Sequence, residues 1–87
     1  MDSKRKKRLM RSVESIKKQI EIHFDKLEKD LESENFDYAR YHAKELDKNL
    51  IDSLAKRIEM LDGDGGVVER YRERLNKLLE RYGIEGF

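Results

Sequence analysis

The chain has no cysteine, no proline and no tryptophan in 87 residues. Without cysteine there is neither a disulfide framework nor a thiolate metal site. No run approaches the roughly 20 apolar residues of a membrane span. The basic N-terminal stretch is not followed by an apolar segment, so it does not match a secretory signal. The expectation is a cytoplasmic protein that does not associate with membranes. Hydrophobic residues are also scarce, at 37%, while 45% of residues are charged. That balance suits long helices with thin apolar stripes. A net charge of +1 and regular apolar spacing argue against a disordered chain.

The near-neutral total hides an asymmetry. Residues 1–11 carry Lys4, Arg5, Lys6, Lys7, Arg8 and Arg11 against Asp2, a net +5. Residues 12–62 carry a net −4, and residues 63–87 are balanced. The basic segment 1–8 is expected to be a tail, either flexible or a helix extension. Residues 9–87 are expected to form a single domain.

Three stripes at helical spacing follow. Leu9, Val13, Ile16, Ile20, Phe24, Leu27 and Leu31 are separated by steps of three and four, the mark of a helix with one buried face. This predicts a helix over about 9–32. "SEN" at 33–35 breaks it, and Ser33 and Asn35 are good N-cap types. A second helix over about 36–62 carries Phe36, Ala39, Ala43, Leu46, Leu50, Leu54 and Leu61, widened by Ile51 and Ile58. "DGDGG" at 62–66 then makes a continuous helix improbable, since each internal glycine costs about 1 kcal/mol relative to alanine. A third helix over about 66–82 carries Val67, Val68, Tyr71, Leu75, Leu78, Leu79 and Tyr82. Gly83 suits a left-handed stop, with Ile84 folding back on Leu79.

The expected fold is all-α: an up-down-up three-helix bundle, in which a long antiparallel hairpin is joined by a shorter third helix. One end of the hairpin is then less covered, which invites closure by dimerisation.

Each chemical motif competes with a plainer reading. The glycine cluster fails as a calcium loop, because position 5 is Gly66 and the turn position is Val67. It also lacks the Lys-Ser or Lys-Thr of a phosphate loop. It reads as a linker with Asp64 or Gly66 capping the next helix. His23 and His42 sit at the edges of their stripes, without a Glu-x-x-His or His-x-x-x-His pattern. They read as boundary residues, and no metal or other cofactor is expected. No serine has a catalytic His-Asp context in sequence, and a pocket of about 300 Å³ is hard to build in so thin a bundle. No catalytic residue, enzymatic activity or small-molecule substrate is therefore expected.

Two segments have partial resemblances. "NFDYARYHAKEL", 35–46, resembles the aromatic–alanine rhythm of tetratricopeptide-like hairpins, without the 34-residue repeat or a second copy. "KELDKNLI", 44–51, resembles the second helix of bacterial hairpin phosphatases acting on response-regulator aspartyl phosphates. That motif has Ser-Gln before Glu-Leu-Asp, where this chain has Ala43 and Lys44.

Two function classes remain. The favoured one is a small non-catalytic helical module that binds a protein partner or a second copy of itself. Its candidate interface residues are Leu9, Ile22 and Tyr41. The alternative is a nucleic-acid-associated protein, with Lys4, Arg5, Lys6, Lys7, Arg8 and Arg11 as candidate phosphate contacts. Those bases oppose the dipole of a helix N-terminus, and a bound anion would relieve the opposition.

Overall fold

A computed structural model describes residues 3–84. Among them the chain is all-α, with three helical rods and no strand. The first rod is α1, Ser3–Glu32. The second runs over 36–60 as α2, Phe36–Glu45, a π-helical segment, Leu46–Ile51, and α3, Asp52–Met60. Glu45, Leu46, Ile51 and Asp52 all keep right-handed helical dihedrals, so the rod is unbroken through both junctions. The third rod is α4, Gly66–Arg81. The molecule measures 47 × 18 × 14 Å, and its long dimension is close to the roughly 45 Å length of a 30-residue helix.

The α1 helix begins at Ser3, so residues 3–8 extend it by two turns beyond the start expected near residue 9. It stops where Asn35 N–H donates to Asp30 O at 2.8 Å and Glu34 N–H donates to Leu31 O at 3.2 Å. That paired closure is a Schellman stop. It recurs after α3, where Gly63 N–H reaches Ile58 O at 3.0 Å and Asp62 N–H reaches Glu59 O at 3.1 Å. It recurs again after α4, where Ile84 N–H reaches Leu79 O and Gly83 N–H reaches Glu80 O, both at 3.0 Å. Each stop needs one left-handed residue. Gly83 supplies it at φ 72°, but Glu34 at 61° and Asp62 at 54° supply it at the expense of a Cβ clash.

The link between α3 and α4 is unwound over 61–65. The second rod therefore ends at Met60, two residues before the expected end. Asp64 Oδ1 accepts the Gly66 N–H at 3.0 Å and satisfies one orphan donor of α4. Asn35 stands at the N-cap of α2 but makes no side-chain capping bond.

One apolar cluster joins all three rods. Ile20, Phe24 and Leu27 of α1 are fully buried, as are Ala39, Ala43, Leu46, Ile51 and Leu54 of the second rod. Leu75 and Leu79 of α4 and Ile84 beyond it complete the cluster. Burying one such large side chain contributes about 1.5 to 3 kcal/mol. No polar or charged residue is buried among the described residues.

Eight expected core positions are not buried: Ile16, Leu61, Val67, Tyr71 and Tyr82 are half-buried against the cluster, and three others depart for reasons of place. Leu9 is half-buried and lies outside the cluster. Phe36 is 39% exposed, because it opens α2 beyond Leu31, the last buried residue of α1. Leu50 is half-buried while Ile51 is fully enclosed. The cause of the last is the π-helical segment: its wider turn rotates Ile51 inward, where a uniform α-helical period would have aimed Leu50.

Candidate functional site

Polar side chains tie the rods together along their edges. Ser12 Oγ accepts a bond from Arg57 Nε at 2.6 Å. His23 Nε2 lies 3.4 Å from Glu45 Oε1. His42 Nδ1 lies 2.6 Å from Asp30 Oδ2. As the α1 position rises from 12 to 30, its partner falls from 57 to 42. Each histidine thus faces an acid of the opposite helix, and His23 Nδ1 also bonds the carbonyl of Gln19 at 2.9 Å. Among the described residues, no three of His, Asp and Glu gather as a metal-holding group.

A second polar node lies on the side of α4. Arg72 spans Asp47 and Asp52, with Nη1 2.5 Å from Asp47 Oδ1 and Nη2 2.5 Å from Asp52 Oδ1. Nearby, Arg74 Nη1 holds both carboxylate oxygens of Glu21, at 2.9 and 3.0 Å. The Arg74 guanidinium carbon lies 4.2 Å from the centroid of the Phe24 ring, within the range of a cation–π contact. Phe24 in turn stacks on Tyr71, centroid to centroid 6.3 Å. Burial pushes the Tyr71 phenol above its ordinary value, Glu21 adds to the rise, and Arg74 opposes it. Neither Arg72 nor Arg74 was singled out from sequence. An arginine three or four residues from an apolar stripe looks like any solvated charge until its partners are known.

The expected phosphate-binding residues Lys4, Arg5, Lys6, Lys7, Arg8 and Arg11 are all exposed on the first turns of α1. The helix winds them around its circumference. Arg5 and Arg8 fall on the edge that also carries Ser12, and with Arg57, Leu9 and Met60 they line a groove of about 490 Å³. No carboxylate among the described residues pairs with Arg5, Arg8 or Arg57. A second groove, about 440 Å³, runs between Glu28 and the charged face of α4. Both exceed the 300 Å³ or so expected to be out of reach, but they are open surface grooves rather than enclosed pockets.

The expected interface residues are separated. Leu9 lines the arginine groove, Ile22 is 45% exposed near Tyr71, and Tyr41 is 65% exposed on α2. Sequence reasoning missed four further exposed apolar side chains: Met10, Phe36, Tyr38 and Met60. Their positions could have been read only with the rod ends known. The segment resembling the phosphatase helix is occupied by the π-helical turn, and Asp47 within it is held by Arg72.

No protein-family model, no curated protein and no solved structure matches the chain. No helix among the described residues is long and apolar enough to cross a membrane.

Proposed function

We propose that the chain is a non-catalytic protein-association module, an up-down-up bundle whose long hairpin docks a second copy or a partner helix. The descending partners of Ser12, His23 and Asp30 support the antiparallel hairpin. The observation that carries the association is the set of six large apolar side chains left in solvent among the described residues. Tyr38 and Tyr41 lie three residues apart on α2, so two of these exposed rings share one side of that helix. Photo-cross-linking tests this. A photoreactive residue at Tyr41 or Ile22 should give a discrete protein adduct in cells, and one at Glu80 should not. Absence of any protein adduct from the exposed apolar positions would remove the proposal.

A second function is favoured by one observation: α1 opens with six exposed cations and no acidic residue in its first turn. A nucleic-acid backbone would neutralise them. Binding to a duplex should then fall steeply with salt and disappear when residues 1–8 are deleted. Binding that survives the deletion rejects this function.

A further inference from the structure

The two ends of the molecule differ in net charge, although Glu59, Asp62 and Asp64 also stand at the basic end, beyond the Ser12–Arg57 contact. Between residues 3 and 11 stand six cations and no acid, while residues 28–37 hold Glu28, Asp30, Glu32, Glu34 and Asp37 against Lys29 alone. Because α1 spans nearly the whole 47 Å length, these segments lie at opposite ends of the rod. Both charge sets oppose the dipole of α1, with bases at its N-terminus and acids at its C-terminus. Asp37 suits the first turn of α2 and Asp30 is held by His42, so Glu28, Glu32 and Glu34 are the acids left without an ion-pair partner among the described residues.

The exposed apolar side chains follow the same division. Met10 and Met60, 53% and 57% exposed, belong to the basic end. Phe36, Tyr38 and Tyr41, 39 to 67% exposed, belong to the acidic end. Among the described residues, only Ile22 lies between them. Arginine and methionine both find favourable partners in aromatic rings, and a guanidinium fork matches a carboxylate. Each end thus offers what the other lacks. The arginine groove adds three guanidiniums with no carboxylate partner among the described residues.

We propose that two copies pair side by side and antiparallel, the basic, methionine-bearing end of each lying on the acidic, aromatic end of the other. The pairing presupposes the self-association form of the function proposed above. An antiparallel pair satisfies both contacts by one two-fold axis and closes, whereas an end-to-end contact would repeat into a chain. It also sets the C-terminal carboxylates of one α1 beside the N-terminus of the other, so that both dipoles are compensated.

Charge exchange tests the pairing. Arg5→Glu with Arg8→Glu lowers the net charge of residues 3–11 from +6 to +2, and Glu32→Lys with Glu34→Lys brings residues 28–37 from −4 to zero. All four side chains are exposed, and none makes an ion pair among the described residues. Circular dichroism and urea midpoints establish that both variants fold. Sedimentation equilibrium at low salt should give the wild type twice the 10.4 kDa chain mass. Each variant alone should dissociate at least tenfold more readily, and an equimolar mixture of the two should recover the dimer. A wild-type monomer overturns the pairing but leaves docking to another protein standing, which the cross-linking adducts decide. A dimer indifferent to both exchanges also overturns it, and then self-association stands through another face. A monomer that binds duplex oligonucleotide through Arg5 and Arg8 overturns it in favour of the phosphate-binding alternative.

Discussion

Asp52 donates its backbone N–H to the carbonyl of Asp47, five residues back, and the carboxylates of the same two residues receive the two arms of Arg72. The π-helical bond and the ion pair have one cause. In an α-helix, positions five apart point well away from each other, whereas i→i+5 bonding stacks them one turn apart. The wider turn thus builds a two-carboxylate seat for a single guanidinium, and that seat fixes α4 to the second rod.

Arg72→Ala should therefore destabilise the fold by about 1 to 2 kcal/mol, more than an ordinary surface ion pair. Arg72→Lys should recover less than half, since a point charge cannot bond both acids as a fork does. Urea unfolding of the single variants, with a double-mutant cycle through Asp47→Asn, measures the coupling. A cycle with no coupling would mean that the fork does not hold α4.

Glu34 and Asp62 occupy left-handed positions that glycine fills without a clash. Glu34→Gly and Asp62→Gly should each stabilise by about 0.5 to 1 kcal/mol, the relief of strain exceeding the added entropy of the unfolded chain. Gly83→Ala should do the reverse by about 1 kcal/mol. Its φ is 72°, and open space around it rules out a packing clash as the cause. Thermal midpoints of the three variants check the signs.

Tyr71 carries a pH dependence. Its phenol is raised in the folded state, chiefly by burial. The folded chain then holds that proton to higher pH than the unfolded chain. The stabilisation is complete below the unfolded value near 10 and is lost as pH rises through the folded value. Urea midpoints should fall between pH 9 and the alkaline limit, with a shallower fall in Tyr71→Phe. Equal slopes would show that other groups carry the whole effect.

Phe24 is fully buried, with Tyr71 and Arg74 against its ring. Phe24→Ala should cost about 3 to 5 kcal/mol. For a domain of this size that approaches the whole stability. Far-ultraviolet circular dichroism at room temperature should show substantial loss of helix. Phe24→Leu should keep the fold.

The sequence alone determined the helices, since apolar residues recurring every three or four positions can be buried together only on a helix. It also determined the glycine-rich break and the stop at Gly83, because backbone freedom there is local chemistry. Tertiary structure decided what depends on a neighbour. The core steps by five from Leu46 to Ile51, a phase change that no constant period anticipates and that packing selects. Leu9 and Phe36 continue their stripes but run out of opposing surface near the rod ends. The side-chain partners of Arg57, Arg72 and Arg74 lie 20 to 53 residues away, and an exposed charge bears no local mark of what it will meet after folding.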